Sequence, residues 1–133
     1  MRILIADANH QDRQVLREII YQLDRRIIIE TALSARQLFR KLNEWRRTSP
    51  PALLFLEFGL PGANVLAVLE RIRYFNFSPA PAVFVLSDVS SPDNAELCCK
   101  WGAKNFLLKS LPPSTLKYHI GHILLSACQN AQG

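Results

Sequence analysis

Short apolar runs alternate along this chain with longer stretches of helical spacing. Arg2 to Ala6 is a compact aliphatic run that stops at Asp7. From Gln11 to Leu23 the apolar residues fall at Val15, Leu16, Ile19, Ile20 and Leu23, the spacing of a helix face. The β-branched run Ile27-Ile28-Ile29 predicts a second strand. Ser34 is placed to cap a helix that sets Ala35, Leu38, Phe39, Leu42 and Trp45 on one side, and Ser49-Pro50-Pro51 breaks it. Ala52 to Leu56 is nearly all apolar, as in a central strand covered on both faces, and ends at Glu57. Leu60-Pro61-Gly62 is a turn, and Val65, Leu66, Val68, Leu69 and Ile72 make a third amphipathic helix. Pro79 and Pro81 flank the next turn, and Val83 to Leu86 is a buried strand ending in Ser87. Ser91 caps a fourth helix with Pro92 at its first position, and Gly102 closes it. Phe106-Leu107-Leu108 is the fifth strand, ending in Lys109. Pro112-Pro113-Ser114 leads into a last helix through about Cys128, with Leu116, Ile120, Ile123, Leu124 and Ala127 as its core stripe.

Strand and helix alternate five times, the pattern of an α/β chain with a parallel sheet and right-handed crossovers. Residues 1–128 are expected to form one domain and residues 129–133 a polar tail. A length of 133 residues suits one domain, and 49% hydrophobic residues supply a core. No apolar run is long enough to span a bilayer, and the N-terminal run is too short for a signal peptide, so the expected location is the cytoplasm. Of three cysteines, Cys98 and Cys99 are adjacent in a helix, where they bridge poorly, and Cys128 is alone. With no metal-type spacing, all three are expected to be buried or half-buried thiols. The net charge of +5 is mostly arginine in the first half of the chain. A basic face could attract nucleic acid or an acidic protein. No nucleic-acid motif accompanies it, so a solvated helix surface is the preferred reading and nucleic-acid binding the weaker alternative.

Ligands of open parallel sheets bind at the carboxyl ends of the strands. The residues there are Asp7, Glu57, Ser87 and Lys109. Two acids, a hydroxyl and an amine on one rim could bind a cation and polarise a phosphoryl group. The same four could equally be a salt-bridge cluster, with Lys109 paired to Asp7 or Glu57.

Several segments in order resemble the receiver domain of two-component response regulators. Ile3-Leu4-Ile5-Ala6-Asp7-Ala8-Asn9 resembles the family's acidic-pair strand. Phe55-Leu56-Glu57-Phe58-Gly59-Leu60-Pro61-Gly62 resembles the phosphoacceptor strand and its turn. Val85-Leu86-Ser87 is similar to the strand ending in a conserved hydroxyl, and Trp101 to Lys109 to the stretch ending in a conserved lysine. The resemblance implies a flavodoxin-like (βα)5 fold, a doubly wound parallel sheet of five strands in the order 2-1-3-4-5. It also implies roles. Asp7 matches the first acid of the pair, Ser87 the hydroxyl that contacts the phosphoryl group, Phe106 the aromatic switch, and Lys109 the lysine that holds the acceptor and a phosphoryl oxygen.

The departures from the family pattern cluster at this rim. Ala8 stands at the second acid, so one charged Mg²⁺ ligand is missing. Glu57 stands at the acceptor, its carboxylate about one bond further out than that of aspartate. Ser110 follows the lysine where proline is usual, so no cis peptide is expected there. Val65 stands where glycine is common. Mg²⁺ binding is therefore expected to be weak or absent, with no cofactor, and phosphoryl transfer, which leans on the metal, is not expected. Glu57 is either a standing mimic of the phosphorylated state, paired with Lys109 and Ser87, or drift at a degenerate site with a Glu57–Lys109 bridge. The second is preferred because Ala8 points to general loss of constraint.

Such a chain is expected to act by binding and not as an enzyme; the alternative is a divergent receiver still phosphorylated or modulated at the acidic rim. The resemblance implies an output surface on the fourth helix, fifth strand and fifth helix, for a protein partner or a second copy, with no membrane role. Trp101, Tyr118, His122 and Leu125 are its candidate anchors. Alternatively Trp101 folds over its own helix. His119 and His122 have the spacing of a metal pair but no third ligand, so they are expected to be solvent-facing, with no metal site.

Overall fold

Alternation along each strand divides the core into two layers. In the computed structural model, which describes residues 1–132 and side chains through residue 128, the elements run β1 (Arg2–Ala6), α1 (His10–Leu23), β2 (Ile28–Ala32), α2 (Ala35–Trp45), β3 (Leu53–Glu57), α3 (Val65–Phe75), β4 (Ala82–Ser87), α4 (Pro92–Lys100), β5 (Asn105–Leu108) and α5 (Pro113–Gln132). The strands form one parallel sheet in the order β2-β1-β3-β4-β5, as the resemblance implied. Leu4, Leu54, Leu56, Val83 and Val85 project to one face, beneath α2, α3 and α4. Ile3, Ile5, Leu53, Phe55 and Leu86 project to the other, beneath α1 and α5. Covering both faces requires uninterrupted apolar strands, which is why Ile3–Ala6 of β1 and Leu53–Leu56 of β3 are all apolar.

Side-chain caps set where the helices begin. Ser34 and Ser91 accept from the backbone N–H of Gln37 and Asn94. Asn9 and Asn64 cap α1 and α3 in the same way, which the sequence reading had not assigned. Gly102 ends α4 at φ +115°: its N–H donates to Cys99 O and the Ala103 N–H donates to Cys98 O, the paired bonds of a Schellman turn.

Several expectations are corrected. Val15 and Leu23 are 42% and 39% exposed, because Leu16, Ile19 and Ile20 alone point at the sheet and the other two lie on the flanks of α1. The second strand is displaced and longer: Ile27 precedes it and it runs on to Ala32, held by its ladder to β1. Phe39 is only half-buried at the α2–α3 seam. Cys98 is buried, but Cys99 and Cys128 are exposed, since neighbouring helix positions face different ways. The backbone of α5 continues through Gln132, into most of the expected polar tail, and Gly133 lies outside the described residues. Among the described residues no helix is long and apolar enough to cross a membrane.

Gly102→Ala forces a methyl group onto a left-handed residue. Urea denaturation should show a loss of about 1–2 kcal/mol with the slope unchanged.

Candidate functional site

The parallel ladders bring the ends of the strands to one rim. Ala6 lies beside Leu56, Glu57 beside Leu86, and Ser87 beside Leu108. Asp7, directly after β1, is buried, and its N–H donates to Ala32 O at 3.0 Å. Its Oδ1 accepts from the Asn9 N–H at 2.8 Å, which shapes the loop into α1. Arg13 Nη1 donates to its carbonyl at 2.9 Å. The Lys109 N–H donates to Ser87 O at 2.8 Å, continuing the β4–β5 ladder and turning its side chain inward to 8% exposure.

The Lys109 ammonium is the centre of the site. Its Nζ is 2.7 Å from Asp7 Oδ2, 2.8 Å from Asp12 Oδ2 and 3.0 Å from Glu57 Oε1. The Asp12 contact is an aligned hydrogen bond. Asp7 and Glu57 stand at ion-pair distance, and Asp7 Oδ2 has no aligned donor. Three carboxylates thus share one cation. Burial pushes the Glu57 carboxyl above its ordinary value; Asp7 adds to the rise, and Lys109 opposes it without cancelling it. Burial alone would lower the lysine, but its contacts with Asp12, Asp7 and Glu57 outweigh that and raise it.

The structure brings Asp7, Glu57 and Lys109 together as the rim reading required. It does not bring Ser87 into the same contact. The Ser87 hydroxyl donates to Val89 O and accepts from the Val89 N–H, so it is occupied within its own loop. Ala8 is exposed and contributes no polar group. Phe106 is half-buried and meets Phe58 edge to face at 6.0 Å. The Lys109–Ser110 peptide is trans, as Ser110 led one to expect; the cis bond among the described residues is Ser78–Pro79.

Asp12 was missed by the sequence reading, which looked only at strand ends. It lies in the first turn of α1, one helical turn after Ala8. That is the spacing at which a helical carboxylate reaches back over the preceding loop, and the turn also favours a negative charge. Reading the first turn of α1 as part of the rim would have found it.

The candidate anchors do not form one patch. Tyr118, His122 and Leu125 line a groove with Leu23 of α1, while Trp101 caps α4 in the opposite helical layer. Tyr118 and Leu125 are 65% and 57% exposed and Trp101 36%. The Tyr118 ring packs edge-on to His122 at 4.6 Å and to His119 at 5.9 Å. Among the described residues no three His, Cys, Asp or Glu side chains are arranged as a metal site.

Removing the one cation leaves three converging carboxylates. Lys109→Met should therefore cost about 3–5 kcal/mol near neutral pH, read by denaturant unfolding. Glu57→Gln should act oppositely. A carboxyl raised by the fold loses stability as pH rises from its ordinary value of 4.5 through its folded value. The variant lacks that loss, so its melting temperature should exceed the parent's at pH 7 and converge with it in acid.

The family model for the response regulator receiver domain matches residues 3–121. Among solved structures, the signal receiver domain of a DNA-binding response regulator from Colwellia psychrerythraea 34H superposes with a TM-score of 0.79 at 18% identity, covering 93% of this chain and 98% of that one. A CheY-like receiver domain from Methanospirillum hungatei JF-1 gives 0.76 at 19% identity, covering 97% of each chain. The chemotaxis response regulator CheY4 of Vibrio cholerae gives 0.76 at 17%, covering 92% and 97%. Likeness at that identity speaks to the fold, and the family match extends over nearly the whole chain. With its five parallel strands in the order 2-1-3-4-5 and an acid-and-lysine rim at their carboxyl ends, this chain belongs to the response regulator receiver family of two-component signalling.

Proposed function

We propose that this receiver domain signals through protein binding, without phosphoryl transfer at its rim. The observation that carries the proposal is the state of Lys109. An ammonium has three N–H donors, and three carboxylate oxygens already stand within 3.0 Å of it. In the family pattern this lysine holds a phosphoryl oxygen; here its ammonium is already surrounded by three carboxylates, one hydrogen-bonded and two at ion-pair distance. The surplus of carboxylates over ammonium at the rim also opposes the approach of an anionic phosphodonor.

The residues present do not fit Mg²⁺. Ala8 supplies no carboxylate, and Asp7 Oδ2, the oxygen an incoming cation would need, faces Lys109 at 2.7 Å. Mg²⁺ tolerates little departure from octahedral oxygen ligation, so the lysine is the resident cation of this site. The reading of Glu57 as a mimic of the phosphorylated state is disfavoured. Its carboxylate has the lysine contact, but the Ser87 hydroxyl is turned away into its own loop.

Binding then falls to the surface. On the α4-β5-α5 side, Leu97 and Trp101 are exposed on α4; Tyr118 and Leu125 are exposed on α5 towards α1. These two faces are separate, and either suits a protein partner or a second copy of the chain through its apolar anchors.

Incubation with acetyl phosphate and Mg²⁺, read by intact mass, should leave the protein unmodified, and beryllofluoride with Mg²⁺ should leave its Trp fluorescence unchanged. A mass gain that disappears in Glu57→Gln would overturn the proposal. Glu57→Asp alone should stay silent, whereas Ala8→Asp together with Glu57→Asp should gain a Mg²⁺-dependent response.

A further inference from the structure

The net charge of the chain is confined to one face. Helix α2 with its C-terminal turn and helix α3 carry Arg36, Arg40, Lys41, Arg46, Arg47, Arg71 and Arg73 against Glu44 and Glu70. That surplus of five equals the net charge of the whole molecule, and the remainder is balanced at nine cations and nine carboxylates. All seven cations except Lys41 are exposed. Among the described residues none is within salt-bridge distance of a carboxylate; the ion pairs formed involve Arg2, Arg26 and Lys109 instead. An ordinary solvated helix face mixes signs and pairs them at i, i+4. This one leaves its cations unneutralised.

Two guanidiniums lie over aromatic rings and tie the helices into one continuous surface. Arg71 of α3 lies 4.8 Å over Phe39 of α2, and Arg46, at the end of α2, lies 5.0 Å over Phe75 of α3. A guanidinium on a ring keeps its in-plane N–H groups free for carboxylates. Beside Arg46 opens a groove of about 430 Å³ in which Phe75, Phe77, Pro50 and Pro79 alternate with Thr48, Ser49, Asn76 and Ser78, over the buried Trp45.

We propose that the α2–α3 face docks an acidic segment of a partner protein, its carboxylates on the arginine stripe and a bulky apolar side chain in the Trp45–Phe75–Phe77 groove. Protein fits this face better than nucleic acid for two reasons. Glu44 and Glu70 interrupt the cations, so a ligand must space its charges to avoid them, which a peptide can do and a regular phosphate backbone cannot. The rings are also already engaged: Phe39 lies under Arg71, Phe75 lies between Arg46 and a stacked Phe77, and Trp45 is buried. Tyr74, 78% exposed, is the ring left clear, whereas single strands bind on successive free ring faces.

The test is fluorescence anisotropy on the full chain with three labelled probes. These are a peptide alternating glutamate and leucine, an all-glutamate peptide of equal length, and an oligothymidylate. The leucine-containing peptide should bind most tightly, and its affinity should fall with salt. Reversing Arg36, Arg40 and Arg47 to Glu should weaken it roughly tenfold or more. Reversing Arg25, Lys104 and Lys117 to Glu, the same change in net charge elsewhere, should leave it largely intact. Circular dichroism checks folding, and Arg36→Gln with Arg40→Gln and Arg47→Gln supplies a milder set if the reversal unfolds. Equal losses from both reversal sets, tighter binding of the oligothymidylate, no preference for leucine, or no peptide binding would each sink the proposal.

Discussion

A single ammonium joins four elements of this fold. Lys109 extends from the end of β5 to Asp7 at the end of β1, to Glu57 at the end of β3 and to Asp12 in the first turn of α1. Each link spans a different part of the chain, and each carboxylate would be poorly solvated alone on this half-buried rim. The arrangement is held by mutual need: the acids raise the affinity of the lysine for its proton, and the lysine makes the convergence of the acids tolerable. Such a cluster contributes little beyond an apolar packing of equal volume, yet losing its lysine is costly. The rim's arrangement therefore hinges on the lysine.

That arrangement follows from topology more than from any local motif. In a parallel sheet every strand ends on the same edge, so residues remote in sequence become neighbours without a connecting segment. Asp7 and Lys109 are brought together by the ordering of β1, β3, β4 and β5 alone. The helices then decide what else reaches the rim. Asn9 starts α1 immediately after the Asp7 loop, which brings Asp12 back over the site. A carboxylate is absent at Ala8 and present one turn later, so the negative charge of the rim is moved, not lost.

Much of this was legible in the sequence because apolar periodicity is a local signal. The apolar runs Ile3–Ala6 of β1 and Leu53–Leu56 of β3 could be read directly, and so could the caps Ser34 and Ser91 and the closure of α4 at Gly102. The strand-end residues Asp7, Glu57 and Lys109 followed from the sheet rule. What was not legible depends on three-dimensional context. Asp12 reads as an ordinary first-turn acid until Lys109 is placed beside it. The Ser87 hydroxyl has two partners available, and only loop geometry shows that it chooses Val89. Tyr118 and Trp101 both read as surface aromatics, but their helices lie on opposite faces of the sheet, which spacing along the chain does not encode. The flanking exposure of Val15 and Leu23 has the same origin: a helix stripe shows which residues are apolar, not how far the neighbouring helix covers them.

The two ends of the charge distribution then take on opposite characters. At the rim, opposite charges are concentrated, partly buried and mutually satisfied around Lys109. On the α2–α3 face, like charges are spread out, exposed and unpaired, with two arginines resting on rings instead of on acids. Self-repulsion on that face costs stability that the two ring contacts offset only in part. The rim's cation is turned inward among carboxylates, while the surplus cations of the α2–α3 face point to solvent. The charges free to respond to an acidic partner therefore lie on the α2–α3 face, apart from the acid-and-lysine rim at the strand ends.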